Sequence, residues 1–254
     1  MSTPFGQALR RWRRQRGLSQ LELALQACTS PRHVSFLETG RSRPGDAMVL
    51  RLAEALDLPL RERNDLLRQA GFAPAYPERG LEAAAVAPYW DIVQRMIAQH
   101  EPFPAFVVDR WWEILATNQG AAALLPAEED ADFVDILDGP MRQVLENWLE
   151  IAWFGLYRLR REVAAAGPDE RLGAMLARLE AMLAGTIPPP ISPDSPTVCV
   201  RVRAGGRTLR FVSTIARFGS CVDVTLSELR VELMYPADDE TDALFRAMIR
   251  TQPA

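Results

Sequence analysis

GLSQLELALQACTSPRHVSFLETGRSRP, residues 17–44, decides the fold of the N-terminal part of the chain. Ser19 opens a helical pattern and Glu22 stands three residues on, the reciprocal pair of a capping box. That pattern predicts Leu21, Ala24 and Leu25 facing inward. After the short turn ACTS, residues 27–30, Ser30-Pro31 opens the next helix. Serine caps it, and proline sits in the first turn, where its missing N–H costs nothing. Val34 and Leu37 face inward, and Gly40 stops the helix. Two short helices joined this way form a helix-turn-helix. The outward positions are then Arg32, His33, Ser35 and Phe36, which carry donors and apolar atoms suited to base edges in a major groove. Arg32 is expected to grip a guanine O6/N7 pair, and Phe36 to pack on a thymine methyl.

Working outward, residues 5–16 read as a helix with Phe5, Leu9 and Trp12 on one face, and Gly17 ends it. Asp46 is expected to cap a fourth helix carrying Val49, Leu52, Ala53 and Leu56, and residues 60–70 form a fifth, closed by Gly71. GFAPAYPERG, residues 71–80, reads as a boundary. Beyond it, residues 88–100 are helical, residues 105–109 and 112–117 make a hairpin, and residues 118–125 make a short helix. Residues 141–166 and 168–184 are long helical stretches, followed by the proline-rich TIPPPISPDSP, residues 186–196. Three β-rich segments follow at 197–203, 208–218 and 221–234, with Gly205-Gly206 and Gly219-Ser220 as hairpin turns. A last helix covers 238–250. The second part is therefore α+β, a half-exposed antiparallel sheet with helices.

The 254 residues are 48% apolar and 24% charged, the balance of a chain that buries a core. No apolar run approaches the ~18–20 residues of a membrane span. The N-terminus lacks a secretory apolar stretch. Cys28, Cys199 and Cys221 form no disulfide framework and no zinc pattern. A cytoplasmic location is expected. The net charge of −4 is uneven: residues 1–80 carry +5 and residues 81–254 carry −9. A basic head on an acidic body predicts that the head alone meets a polyanion. Arg41 and Arg43, with Arg10, Arg11, Arg13 and Arg14, are the expected phosphate partners. Every basic residue is arginine, which excludes lysine nucleophiles and phosphate-loop lysines. With only His33 and His100, no histidine triad and no metal cluster can be drawn, and no catalytic residue is expected.

The stretch 17–44 resembles the Cro/C1-type (XRE) helix-turn-helix regulators. The resemblance rests on Leu18-Ser19-Gln20, on Ala24, Val34 and Leu37, and on Glu38-x-Gly40-x-x-x-Pro44. It implies that Gln20 and Ser30 contact phosphates or brace the reading helix. Two positions depart from the pattern. Cys28 replaces the usual turn glycine, requires a left-handed or adjusted backbone, and is expected to be a buried, inert thiol. Pro31 replaces a hydrogen-bonding residue, which shifts base reading to Arg32 and its neighbours.

RHVSFLETGRSRP, LRERNDLLRQAGFAPAY, PAFVVDRWWEILATNQGAAALL, Asn147-Trp148 and STIARFGSCVDVTLSELRVELMYPADDET extend the resemblance to the MmyB-like branch of that family. This implies an N-terminal all-α, five-helix, lambda-repressor-like DNA-binding domain at 1–73, a linker at 74–87, and a C-terminal α+β PAS-like domain at 88–254. The latter is expected to have a five-stranded antiparallel sheet with helices on one face and a pocket for a small lipophilic, fatty-acid-like ligand. Trp112, Ile114, Trp148, Ile151, Phe154, Phe211, Ile215 and Met234 supply an apolar lining, and Arg158 or Arg217 an anchor for an acidic head. No other cofactor is expected. The implied partners are double-stranded operator DNA, that ligand and a second copy in a homodimer, with no membrane. The rival reading makes the C-terminal domain a ligand-free protein-interaction and dimerisation module.

Overall fold

The structure, a computed structural model, describes residues 3–124, 131–139, 141–190 and 197–251. The chain divides into two compact units: residues 1–79 with 164–168 and 221–224, and residues 80–163, 169–220 and 225–254.

In the first unit, five helices follow one another: α1 Pro4–Gln15, α2 Gln20–Gln26, α3 Pro31–Thr39, α4 Asp46–Ala55 and α5 Leu60–Gln69. Phe5, Leu9 and Trp12 are buried in one core with Leu23, Val34 and Leu52. The Thr3 hydroxyl caps α1, and Ser19 with Glu22 closes the capping box of α2. Gly6 fits where α1 crosses α3, since a Cβ there would lie 2.6 Å from the Leu37 carbonyl oxygen. Three local expectations change. Leu23 and Ala24 are the buried residues of α2, whereas Leu21 and Leu25 are 55% and 69% exposed. Ala24 borders two apolar stripes, and Leu21 and Leu25 lie roughly 160–200° around the helix from Leu23. The packing of α2 on α3 and α4 selects the Leu23 side. Gly45, not Asp46, caps α4, with Asp46 in the first turn. Cys28 has φ 50, the left-handed backbone its position demands, but its thiol is exposed rather than buried.

The second unit opens with α6 Ala87–Gln99. A sheet follows, built from β1 Ala105–Val108, β2 Ile114–Thr117, β3 Cys199–Ala204, β4 Arg207–Ala216 and β5 Arg230–Pro236. Its order is β2-β1-β5-β4-β3, antiparallel throughout. This is the expected five-stranded antiparallel sheet with helices. The helices between its strands are α7 Gln119–Leu124, α8 Phe133–Asp138, α9 Met141–Val144, α10 Trp148–Ala165, α11 Glu170–Met182 and α12 Val224–Glu228, and α13 Asp239–Thr251 closes the chain.

Two of its expectations also change. The stretch 141–166 is not one helix: it breaks at residues 145–147, which pair with the edge strand β3. Glu146 N donates to Arg201 O, and the Asn147 amide joins the Arg201 N–H to the Cys199 carbonyl. The third β segment starts at Arg230, not at residue 221. Val222, Val224 and Leu226 alternate like a strand, but α12 occupies most of that run, and the chain reaches the sheet only after Leu229.

Asn118 ties the sheet to its neighbours. It is 7% exposed, donates to the carbonyls of Ile97 and Phe103, and accepts from the amides of Ala105 and Ala121. All its hydrogen-bonding capacity is used, as a buried amide requires. A Cβ on Gly155 of α10 would stand 2.3 Å from Phe133 Cε1, so glycine there admits the ring. Gly173 of α11 has open space around its Cβ position. Gly155→Ala is expected to lower stability by about 1–3 kcal/mol through overpacking. Gly173→Ala should raise it by about 0.5–1 kcal/mol by removing glycine's chain entropy. Urea unfolding of the two variants measures both. Hydrogen bonds from Ser19 hold the Glu22 carboxyl below its usual pKa. The cap therefore stabilises above the ordinary glutamate range and is lost as pH falls through the folded value. Ser19→Ala removes only the hydroxyl and keeps the larger main-chain bond, so Glu22 should move part of the way back toward the ordinary range in an NMR titration.

Candidate nucleic-acid interface and ligand face

The Ser30 hydroxyl accepts from His33 N at 3.1 Å, so this side chain is committed to capping α3. Pro31 occupies the first turn, and Gly40 closes the helix at φ 74. Val34, Leu37 and Glu38 point inward. Arg32 is exposed, while His33, Ser35 and Phe36 are half-buried. The Arg32 and Arg41 guanidinium carbons lie 5.1 and 6.0 Å from the Phe36 ring centroid. Arg10, Arg14, Arg41 and Arg43 are all exposed.

Behind this surface stands a buried ion pair. Arg13 Nε and Nη2 donate to the two Glu38 oxygens at 2.6 and 3.0 Å, and Nη1 donates to Leu18 O at 2.8 Å. Gln20 Nε2 adds a bond to Glu38 at 2.8 Å, so Gln20 braces α3. The bond to Glu38 raises the Arg13 pKa against the cost of burial. Arg13 is therefore not a phosphate partner. It is 9% exposed, one turn beyond Leu9 on the buried face of α1, a position that the apolar spacing already marks.

In the second unit, directly paired residues project to one face of the sheet. The pairs Thr117–Phe106, Phe106–Glu232 and Glu232–Ile215 make one row across four strands. Arg230, paired with Val108, belongs to the next row. Helix α10 reaches this face through Arg158 and Glu162. Glu162 accepts from Arg230 at 2.7 and 2.8 Å, from Arg158 at 3.2 Å, and from Trp112 Nε1 at 2.6 Å. Arg158 Nη1 donates to Glu232 at 2.7 Å. Its guanidinium stacks 4.3 Å from the Trp112 ring, and Nη2 is buried without a partner. Trp112 itself is held at φ 63. Burial pulls the Arg230 pKa down; Glu162 opposes this, while Arg158 and Arg217 add to it.

Trp112, Arg158 and, through its charge, Arg217 are thus brought together. Ile114 and Ile151 are half-buried, and Met234 is buried. Phe211 packs edge-on against Phe245 of α13 at 5.3 Å. The Trp148 indole donates to Leu137 O and lies 4.4 Å from the Arg142 guanidinium. Phe154 and Ile215 are 39% and 43% exposed, so neither is enclosed. Glu162, Arg230 and Glu232 were not singled out from the sequence. The signal was there: charges at alternate positions of an otherwise apolar strand, RVELMYP. Among the described residues, no group of three or more His, Cys, Asp or Glu is placed to hold a metal ion, and no helix is long and apolar enough to cross a membrane.

Arg13→Ala is expected to cost about 3–5 kcal/mol by taking the cationic partner from the buried Glu38 carboxylate. Arg10→Ala and Arg14→Ala should change stability by no more than about 0.5 kcal/mol. Each should instead lower the salt slope of DNA binding by about one. Thermal melts and salt-dependent binding isotherms separate the two classes.

Residues 9–63 match the helix-turn-helix family, and residues 91–248 match the family described as the MmyB-like transcription regulator ligand binding domain. The chain is similar to the uncharacterized HTH-type transcriptional regulator RghRB of Bacillus subtilis (strain 168), with 33% identity over 112 residues, 43% of this chain and 78% of that protein. Among solved structures it is similar to the restriction-modification controller protein C.AhdI from Aeromonas hydrophila, 38% identical over 24% of this chain and 92% of that one, with a TM-score of 0.23. A second similar structure is an RNA-binding Light-Oxygen-Voltage receptor, 13% identical over 98% of this chain and 63% of that one, with a TM-score of 0.24. The families matched are transcription regulators, not enzymes. With its second match spanning more than half of the sequence behind a helix-turn-helix, the chain belongs to the MmyB-like transcription regulators, DNA-binding proteins that carry a ligand-binding domain.

Proposed function

We propose that this regulator reads a specific operator with residues 1–73 and senses a lipophilic acid of fatty-acid type with residues 88–254, with residues 74–87 as the linker. Arg32, His33, Ser35 and Phe36 make the base-reading surface. Arg10, Arg14, Arg41 and Arg43 bind phosphates, with Gln20 and Ser30 bracing the reading helix. The protein works in the cytoplasm as a homodimer, because a single helix-turn-helix buries little surface and dimers read paired half-sites. Ligand shifts the equilibrium between head spacings that fit the operator and those that do not.

The observation that carries the ligand reading is the buried, unpartnered Nη2 of Arg158 beneath Trp112. A buried guanidinium nitrogen without an acceptor costs free energy, and a carboxylate supplies the missing oxygen. The charge around it favours an anion: Arg158, Arg217 and Arg230 stand against Glu162 and Glu232. Phe106, Ile114 and Ile215 on the same face leave apolar surface for a tail.

The rival reading, a ligand-free interaction module, is favoured by Phe154 and Tyr157 on α10, which are 39% and 38% exposed and in edge contact. Mass spectrometry of an organic extract from the undenatured protein separates the two. A stoichiometric lipid-like acid supports sensing, and an empty extract favours the interaction module. In titrations, a long-chain acid should bind more tightly than the alcohol of equal length. Arg158→Leu should weaken the acid by about 10–100-fold, the value of hydrogen bonds to a charged group. Equal binding of acid and alcohol would remove Arg158 as the anchor.

A further inference from the structure

We propose that Arg32, Phe36 and Arg41 act as one reading unit for the C5-methyl group of a pyrimidine beside a guanine, so that operator affinity depends on that methyl group. The inference rests on the DNA-reading role given above to α3.

Phe36 is a large apolar residue on a helix that needs no help from it. Val34 and Leu37 supply the buried side of α3 and are fully enclosed, whereas Phe36 is only half-buried and is not among the residues of the hydrophobic core. Arg32 lies one turn earlier on the same face, with its guanidinium 5.1 Å from the ring centroid. After the left-handed Gly40, the amides of Arg41 and Ser42 bond back to the Phe36 carbonyl at 2.8 and 3.2 Å. This fold-back brings the Arg41 guanidinium to 6.0 Å from the same ring. Among the described residues, neither arginine has an ion-pair partner, and the Phe36 ring is the aromatic neighbour that both approach.

Stacking uses the face of a guanidinium and leaves its N–H donors free at the edge. A guanidinium held on an aromatic face has therefore lost part of its rotamer freedom before DNA arrives, without spending its hydrogen bonds. The phenyl ring has no donor or acceptor. In the major groove, the feature that rewards it is the methyl group of thymine, and 5-methylcytosine presents the same group. The Arg32 guanidinium lies 5.1 Å from the Phe36 ring centroid, between one and two base-pair steps of about 3.4 Å, so the two side chains can address neighbouring pairs. Arg41, beyond the helix end, has its edge free for a phosphate.

The full-length protein is first used to select an operator from a pool of random duplexes. Each thymine of the operator is then replaced in turn by deoxyuridine, which removes only the methyl group, and each guanine by 7-deazaguanine, which removes N7. For the wild type, one thymine per half-site should be sensitive, its replacement weakening binding about fourfold, the worth of one buried methyl-sized group. The guanine beside it should lose about tenfold or more without N7. At the thymine position, 5-methylcytosine should bind about fourfold more tightly than cytosine. Phe36→Ala should abolish the methyl dependence and reduce the guanine dependence, because Arg32 loses its platform. If that variant melts early, Phe36→Leu serves: it keeps apolar surface, so methyl dependence persists while guanine dependence falls. The absence of any sensitive thymine, a sensitive thymine with no guanine beside it, or an unchanged penalty in Phe36→Ala would each overturn the unit. A pool that yields no enriched duplex would instead overturn operator reading as a whole.

Discussion

The buried pair of Arg13 and Glu38 is the constraint on which the reading surface depends. Taking two charges out of water is costly, and their attraction repays it only when every remaining donor and acceptor is occupied. Here the carboxylate receives two guanidinium bonds and one from Gln20, while the third guanidinium arm reaches Leu18 O. The result joins α1, the start of α2 and the end of α3. The outward face of α3 and the exposed arginines of α1 are thereby held as one surface. The second unit uses the same device. Glu162 gathers Arg230, Arg158 and Trp112 around one carboxylate and so links α10 to the central strand β5.

The two networks differ in one respect. The first is closed on itself. The second keeps an unused donor, the Arg158 Nη2, and an excess of guanidinium over carboxylate. A closed network rigidifies; an open one carries the cost of a buried donor without an acceptor. Arginine suits both purposes because its planar fork pairs with carboxylates and also lies over the rings of Phe36 and Trp112, which a lysine would not do as well.

Much of the first unit was legible in sequence because its signals are local. The Phe5-Leu9-Trp12 spacing, the Ser19–Glu22 box and Ser30-Pro31 each act within one or two helical turns. What escaped was decided at longer range. Leu21 and Leu25 compete with Leu23 for the buried face of a seven-residue helix, and only the neighbouring helices choose between them. Arg13 looked like one of a basic cluster until Glu38, far along the chain, claimed it. In the second unit the Gly205-Gly206 hairpin was plain, while the start of β5 was not, since Val222-Val224-Leu226 alternates like a strand over too short a run to decide. The candidate ligand face was the least legible. Its apolar positions, with Arg158 and Arg217, followed from the resemblance, but the alternating charges of RVELMYP gain a role only when Glu162 of α10 is placed against them.

The break between α9 and α10 has a consequence for how the protein behaves in a crowd. An edge strand is a template for other strands, since its outer amides and carbonyls stand free. At β3, the Asn147 side chain engages both the Arg201 amide and the Cys199 carbonyl, and Glu146 covers the next carbonyl. A strand from another molecule would have to displace both arms of that amide before forming its first main-chain bond. One asparagine, at the cost of a helix interruption, thus guards this margin of the sheet against growth into fibrils.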